Sequence, residues 1–145
     1  MPGLILCGVD GSETSAKAVR VATALGDALG ARVVLLYVAE VKVPPPGSAF
    51  AYDKLEEAAV AEGRRVLEEL RTLGVGESAE ERVEPGSPAL KLKKIAEAEG
   101  ADMIVVGSRG HGTLKSALLG SVSKELAAHA PCPVVVVPRD ARVAA

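Results

Sequence analysis

Short apolar runs alternate with amphipathic stretches along almost the whole of this 145-residue chain. That alternation restricts the fold more than any other feature. Leu4–Val9, Arg32–Val38, Asp102–Val106 and Pro133–Val137 are short and rich in Val, Leu and Ile, as strands buried on both faces are. Ala79–Val83 is weaker and polar, which suits a sheet edge. Ser12 or Thr14 can cap a helix that runs to about Leu29, with Ala18, Ala22, Leu25 and Leu29 on one face and Gly30 as its stop. A long helix is expected from about Tyr52 to Leu73. There Leu55, Ala59, Val66, Leu70 and Leu73 recur at helical spacing, and Gly63 allows close packing. Ser87-Pro88 opens a third helix that stops at Gly100, and Ser121–His129 forms the last. Val43-Pro44-Pro45-Pro46-Gly47-Ser48 can continue neither a strand nor a helix and reads as a loop. The order βαβαβαβαβ predicts an α/β fold. It is a single doubly wound sandwich, with a five-stranded, mainly parallel sheet and helices on both faces. No linker, repeat or low-complexity segment divides residues 1–145, so one domain is expected.

Composition removes several function classes. With 48% apolar and 25% charged residues, the chain has the make-up of a folded domain and not of a disordered one. A net charge of -2 argues against a nonspecific nucleic-acid or anionic-membrane surface. No Trp and one Phe leave little material for stacking single-stranded bases. Cys7 and Cys132 lack CxxC spacing, and Cys7 reads as a small buried thiol. The N-terminal run has no basic flank and no stretch approaches a membrane span, so a cytoplasmic protein is expected. The complete absence of Asn and Gln fits either heat adaptation or a GC-rich coding bias.

The chemistry concentrates at two strand ends. In open doubly wound sheets, ligands sit beyond the carboxyl ends of the strands, where the strand order reverses. The first strand ends Val9-Asp10-Gly11-Ser12, and the fourth ends Val106-Gly107-Ser108-Arg109-Gly110. If these strands are neighbours, Asp10 and the glycine loop face one crevice. Gly107 and Gly110 let a backbone pass close to ribose and phosphate. Gly120, Ser121, Val122 and Ser123 open the last helix, where N–H groups and the positive end of the helix dipole attract an anion. Asp10 can accept hydrogen bonds from the adenine or ribose edge, and Val38, ending the second strand, can flank the base. Arg109, His111 and Lys115 are solvated loop charges or phosphate partners. A triphosphate here would bring Mg²⁺, which neutralises phosphate while keeping most of its waters. There is no GxxxxGK[ST] and no GxGxxG after the first strand, so neither a P-loop nor a dinucleotide fingerprint is present. No HExxH, CxxC or paired-His spacing marks a protein-bound metal site.

With these residues in view, the whole chain resembles the universal stress protein family, in its ATP-binding branch. The resemblance rests on Val9-Asp10-Gly11-Ser12, on Tyr37-Val38, on Ala130-Pro131-Cys132-Pro133 with the valines after it, and on the family signature G-x2-G-x9-G-[ST]. Gly107, Gly110, Gly120 and Ser121 match every fixed position of that signature. The resemblance implies strand order 3-2-1-4-5, an adenine contact at Asp10 and Val38, and ribose and phosphate contacts at Gly107, Gly110, Gly120, Ser121, Val122 and Ser123. It also implies a homodimer paired through Val134–Val137, an apolar strand that would otherwise be an exposed edge.

The function expected is that of an ATP-binding regulatory, stress-response protein whose nucleotide occupancy is read by a partner not identified from sequence. A slow ATP hydrolase or phosphotransferase is the alternative. It lacks an evident general base, because Asp10 belongs to the adenine end and only Arg109, His111 and Lys115 lie near the phosphates. A dimeric scaffold without nucleotide is disfavoured by the intact signature. A flavin carrier is disfavoured by the scarcity of aromatic residues.

Overall fold

The computed structural model describes residues 3–41, 46–47, 49–108 and 119–143, with 49–51 as backbone only. Five strands alternate with four helices: β1 (Leu4–Val9), α1 (Glu13–Leu29), β2 (Arg32–Ala39), α2 (Ala49–Thr72), β3 (Glu80–Pro85), α3 (Pro88–Glu99), β4 (Met103–Gly107), α4 (Ser121–His129) and β5 (Val134–Val137). They form a single sheet of order β3-β2-β1-β4-β5. Each of its four strand pairings is parallel. The expected α/β sandwich and strand order are therefore observed.

Alternation along the strands builds two cores, because successive side chains leave a strand on opposite faces. Ile5, Cys7, Val9, Val33, Leu35 and Val105 face α1 and α2, packing on Ala18, Val19, Ala22, Val66, Leu67 and Leu70. Leu4, Leu6, Val34, Leu36, Val38, Ile104 and Val106 face α3 and α4, packing on Leu92, Ile95, Ala96 and Leu126. A sheet covered on both sides must have apolar residues at every central-strand position, which is why β1, β2 and β4 read as continuous apolar runs.

The helices end where expected but bury less than their periodicity suggested. Gly30 and Gly100 adopt left-handed backbone at the ends of α1 and α3, and their N–H groups bond to Gly26 and Ala96 carbonyls. Leu29 and Leu73 are well exposed, as is Leu55. In α2 none of residues 52–62 is buried. The reason is length. A 24-residue helix is about 36 Å long, whereas a six-residue strand spans about 20 Å, so the N-terminal turns of α2 overrun the sheet. Gly63 lies where α2 crosses β2. A Cβ there would collide with the Tyr37 ring, so glycine sets how closely helix and sheet approach.

Candidate functional site

β1 lies between β2 and β4. The chain winds outward from β1 to β3 on one side and from β4 to β5 on the other. Between the carboxyl ends of β1 and β4 the order reverses, leaving a cleft. Its volume is ≈ 340 Å³, within the range of about 300–1,000 Å³ usual for small-molecule sites.

Each wall has its own chemistry. Gly8, Val9 and Asp10 come from β1 and its exit, and Leu36, Tyr37, Val38 and Glu40 from β2 and its exit. Pro88 and Leu92 of α3 close the apolar side. Val106, Gly107 and Ser108 come from β4, and Gly120, Ser121, Val122 and Ser123 from the start of α4. Nine of the residues expected from sequence thus line one cleft: Val9, Asp10, Val38, Val106, Gly107, Gly120, Ser121, Val122 and Ser123. Arg109 and Gly110, with His111 and Lys115, lie outside the described residues.

Local hydrogen bonding fixes the β1 exit. Gly11 takes φ 84, a left-handed value that glycine adopts without strain. Asp10 Oδ1 accepts the Ser12 N–H at 2.9 Å, closing an Asx turn. Ser12 is the cap of α1, its Oγ accepting the Ser15 N–H at 3.2 Å. Asp10 therefore shapes the turn while its carboxylate stays exposed at the cleft. Burial raises the Tyr37 phenol above its ordinary range, with Glu62 and Asp10 adding to the shift and Arg65 opposing it.

Helix α4 begins differently. Its cap is Gly120 and not Ser121, and among the described residues no side-chain cap bonds to its first N–H groups. Ser121 occupies the first helical position and is exposed. The Gly120 N–H donates to the Ser108 carbonyl at 2.6 Å. The Ser123 hydroxyl is turned inward, 3.0 Å from the Ser108 carbonyl and 3.1 Å from that of Gly120. Among the described residues the N-terminus of α4 thus opens on the cleft without a side-chain cap, where its N–H groups and positive dipole end suit an acceptor from outside the helix.

Gly107 has a packing role as well. A Cβ there would stand 2.6 Å from Thr14 Oγ1 and 2.8 Å from the Thr14 carbonyl carbon. Glycine lets the end of β4 pass under the first turn of α1. Glu40, Ser108, Pro88 and Leu92 were not singled out in the sequence. Glu40 looks like any surface acid, and the others become wall residues only once β2, α3 and β4 are placed side by side. Among the described residues that line the cleft, the charged side chains are both acids, Asp10 and Glu40. No three His, Cys, Asp or Glu residues converge as a metal cage among the described residues, and no described helix is long and apolar enough to cross a membrane.

This sheet order, with a signature loop between β4 and α4, matches a known family. The family model for universal stress proteins matches residues 1–138. The chain belongs to the universal stress protein family. A universal stress protein of Thermus aquaticus, named for its place in the 3′ region of the QAH/OAS sulfhydrylase gene, is 34% identical over 133 residues, covering 92% of this chain and 96% of that one. Universal stress protein UspA from Lactobacillus plantarum superposes with a TM-score of 0.82 at 22% identity, covering 93% of this chain and 97% of its own, which is a likeness of fold. A universal stress protein solved in complex with cAMP superposes with a TM-score of 0.64 at 25% identity, covering 93% of this chain and 96% of that one.

Proposed function

We propose that this universal stress protein binds ATP in the cleft between β1 and β4 and acts as a nucleotide-responsive regulatory protein. The carrying observation is the polarity of the cleft. At one end the uncapped N-terminus of α4 offers N–H groups and a positive dipole, which suits phosphate. Toward β2 the walls are apolar, through Leu36, Val38 and Leu92, and carry the acceptors Asp10 and Glu40. A nucleoside is the complement of that end: a flat apolar base with an amino donor and a ribose with hydroxyl donors.

In this reading Asp10 accepts a donor from the base or ribose, while Val9, Val38 and Val106 flank the base. Gly107, Gly110, Gly120, Ser121 and Val122 bring backbone to the ribose and phosphates, and Ser123 contributes its helix-terminal N–H. Arg109 supplies positive charge to the phosphates. Mg²⁺ bound to the triphosphate needs no protein cage, because phosphate oxygens and water fill most of its coordination shell. The relative that carries cAMP supports an adenine nucleotide as the class of ligand.

The reading favours binding over turnover. Hydrolysis needs a group that positions water at the phosphates, and the acids of the described walls follow β1 and β2, toward the base. Binding engages the N-terminus of α4, whose Gly120 is tied through Ser108 to the end of β5. The edge of β5, Val134–Val137, then pairs with a second copy, and a partner protein reads the occupied dimer.

Mass spectrometry of nucleotide released from protein purified without added ligand tests the proposal. Retained ATP is the expected result. Recovery of no adenine nucleotide, together with no binding on adding ATP, would reject it.

A further inference from the structure

The family resemblance assigns Ser123 to the phosphates, but the hydrogen bonds of its hydroxyl point elsewhere. Ser123 is 2% exposed. Its Oγ carries one proton, and two carbonyls stand ready for it, Ser108 at 3.0 Å and Gly120 at 3.1 Å. An ionised phosphate oxygen is an acceptor only, so it would have to take that same proton from a buried site.

The acceptor is itself a junction. Ser108 is 6% exposed. Its N–H donates to the Val137 carbonyl at 2.8 Å, at the end of β5. Its carbonyl accepts the Gly120 N–H at 2.6 Å as well as the Ser123 hydroxyl. One residue therefore joins the end of β4, the edge strand β5 and the N-terminus of α4. A buried carbonyl with two donors is strongly held; with one donor removed it has no water to replace it.

We infer that Ser123 is a positioning residue: its hydroxyl clasps the Ser108 carbonyl and fixes the N-terminus of α4 against the ends of β4 and β5. The consequence for nucleotide rests on the proposed function, since a clasped α4 presents its N–H groups to phosphate at a set distance. The clasp itself does not rest on it.

The test is amide exchange of the nucleotide-free protein, read at Gly120 by NMR, with ATP affinity measured separately. In Ser123→Ala, Gly120 exchange should accelerate roughly five- to tenfold, the loss expected from one buried hydrogen bond, while amides in the middle of β1 keep wild-type rates. Ser123→Thr and Ser123→Val share the same added bulk and differ only in the hydroxyl. The Thr variant should exchange more slowly at Gly120 than the Val variant, and this pair decides the matter if the Ala variant fails to fold. Unchanged Gly120 exchange in Ser123→Ala, or equal exchange in the Thr and Val variants, would overturn the clasp. Lost ATP affinity with unchanged exchange would return the hydroxyl to the ligand. If wild-type protein binds no ATP, the proposed function fails, but the exchange result still stands.

Discussion

A side chain at position 107 would have nowhere to go, since Thr14 Oγ1 and the Thr14 carbonyl carbon lie 2.6 and 2.8 Å from where its Cβ would stand. Gly107→Ala should therefore destabilise the fold by about 1–3 kcal/mol, as overpacking does, whatever it does to ligand. Chemical denaturation measures this, and an unchanged midpoint would show that β4 and α1 can separate freely. Asp10 makes a contrasting case. Asp10→Ala removes the Asx turn acceptor and the carboxylate at the cleft, and adenine nucleotide affinity should fall about tenfold or more if that carboxylate takes a ligand hydrogen bond. Asp10→Asn keeps the side-chain oxygen for the turn and should recover the stability but only part of the affinity. Of these residues, Asp10 was legible from its place at a strand end. The packing role of Gly107 was not, because contact with Thr14 exists only once α1 has folded back beside β4.

At the scale of elements, α1 and α4 begin in opposite ways. Ser12 caps α1, and Ser12→Ala should cost about 1 kcal/mol of stability. Gly120 has an extended backbone, φ -66 and ψ 165, that any residue can adopt. Gly120→Asp would give α4 a carboxylate cap and should leave stability equal or higher by up to about 1 kcal/mol, read from thermal melts. The order and type of the elements could be read because apolar runs of strand length and helical stripes are local signals. Their edges were less legible. The sequence pattern starts α2 near Tyr52, whereas the helix begins at Ala49, and Leu55 and Leu73 on its stripe are exposed. Periodicity reports which side chains share a face, not how far the underlying sheet extends. The last helix spans Ser121–His129 as expected; Ser121 has the composition of a cap, but it is the first helical residue and Gly120 is the cap.

For the molecule as a whole, the buried Cys7 thiol sets an alkaline limit. Burial raises its pKa far above the usual thiol range. Its contribution to stability is complete below the unfolded value of about 8.5. Above that value the unfolded chain ionises while the folded one does not, so stability falls by up to about 1.4 kcal/mol per pH unit. Cys7→Ala should flatten that alkaline limb, and an identical limb in the variant would contradict the assignment. The edge strand β5 is short and apolar, and the proposed dimer would cover it. Pro133 and Val137 turn their backbone groups to β4, so Val136 faces the free edge. Sedimentation should give a dimer, and Val136→Pro, which removes a backbone donor from that edge, a monomer. The chain lacks Asn and Gln throughout. If heat adaptation is the cause, the melting midpoint lies above the ordinary range of about 45–65 °C. In the proposed function, ATP occupies the cleft between β1 and β4. Titration calorimetry of ATP into the wild-type chain and into Gly120→Asp, side by side, addresses that occupancy most directly. A saturable wild-type isotherm and a folded but silent variant are the predicted result. A silent wild type, or a variant that binds with undiminished affinity, would contradict phosphate binding at the N-terminus of α4.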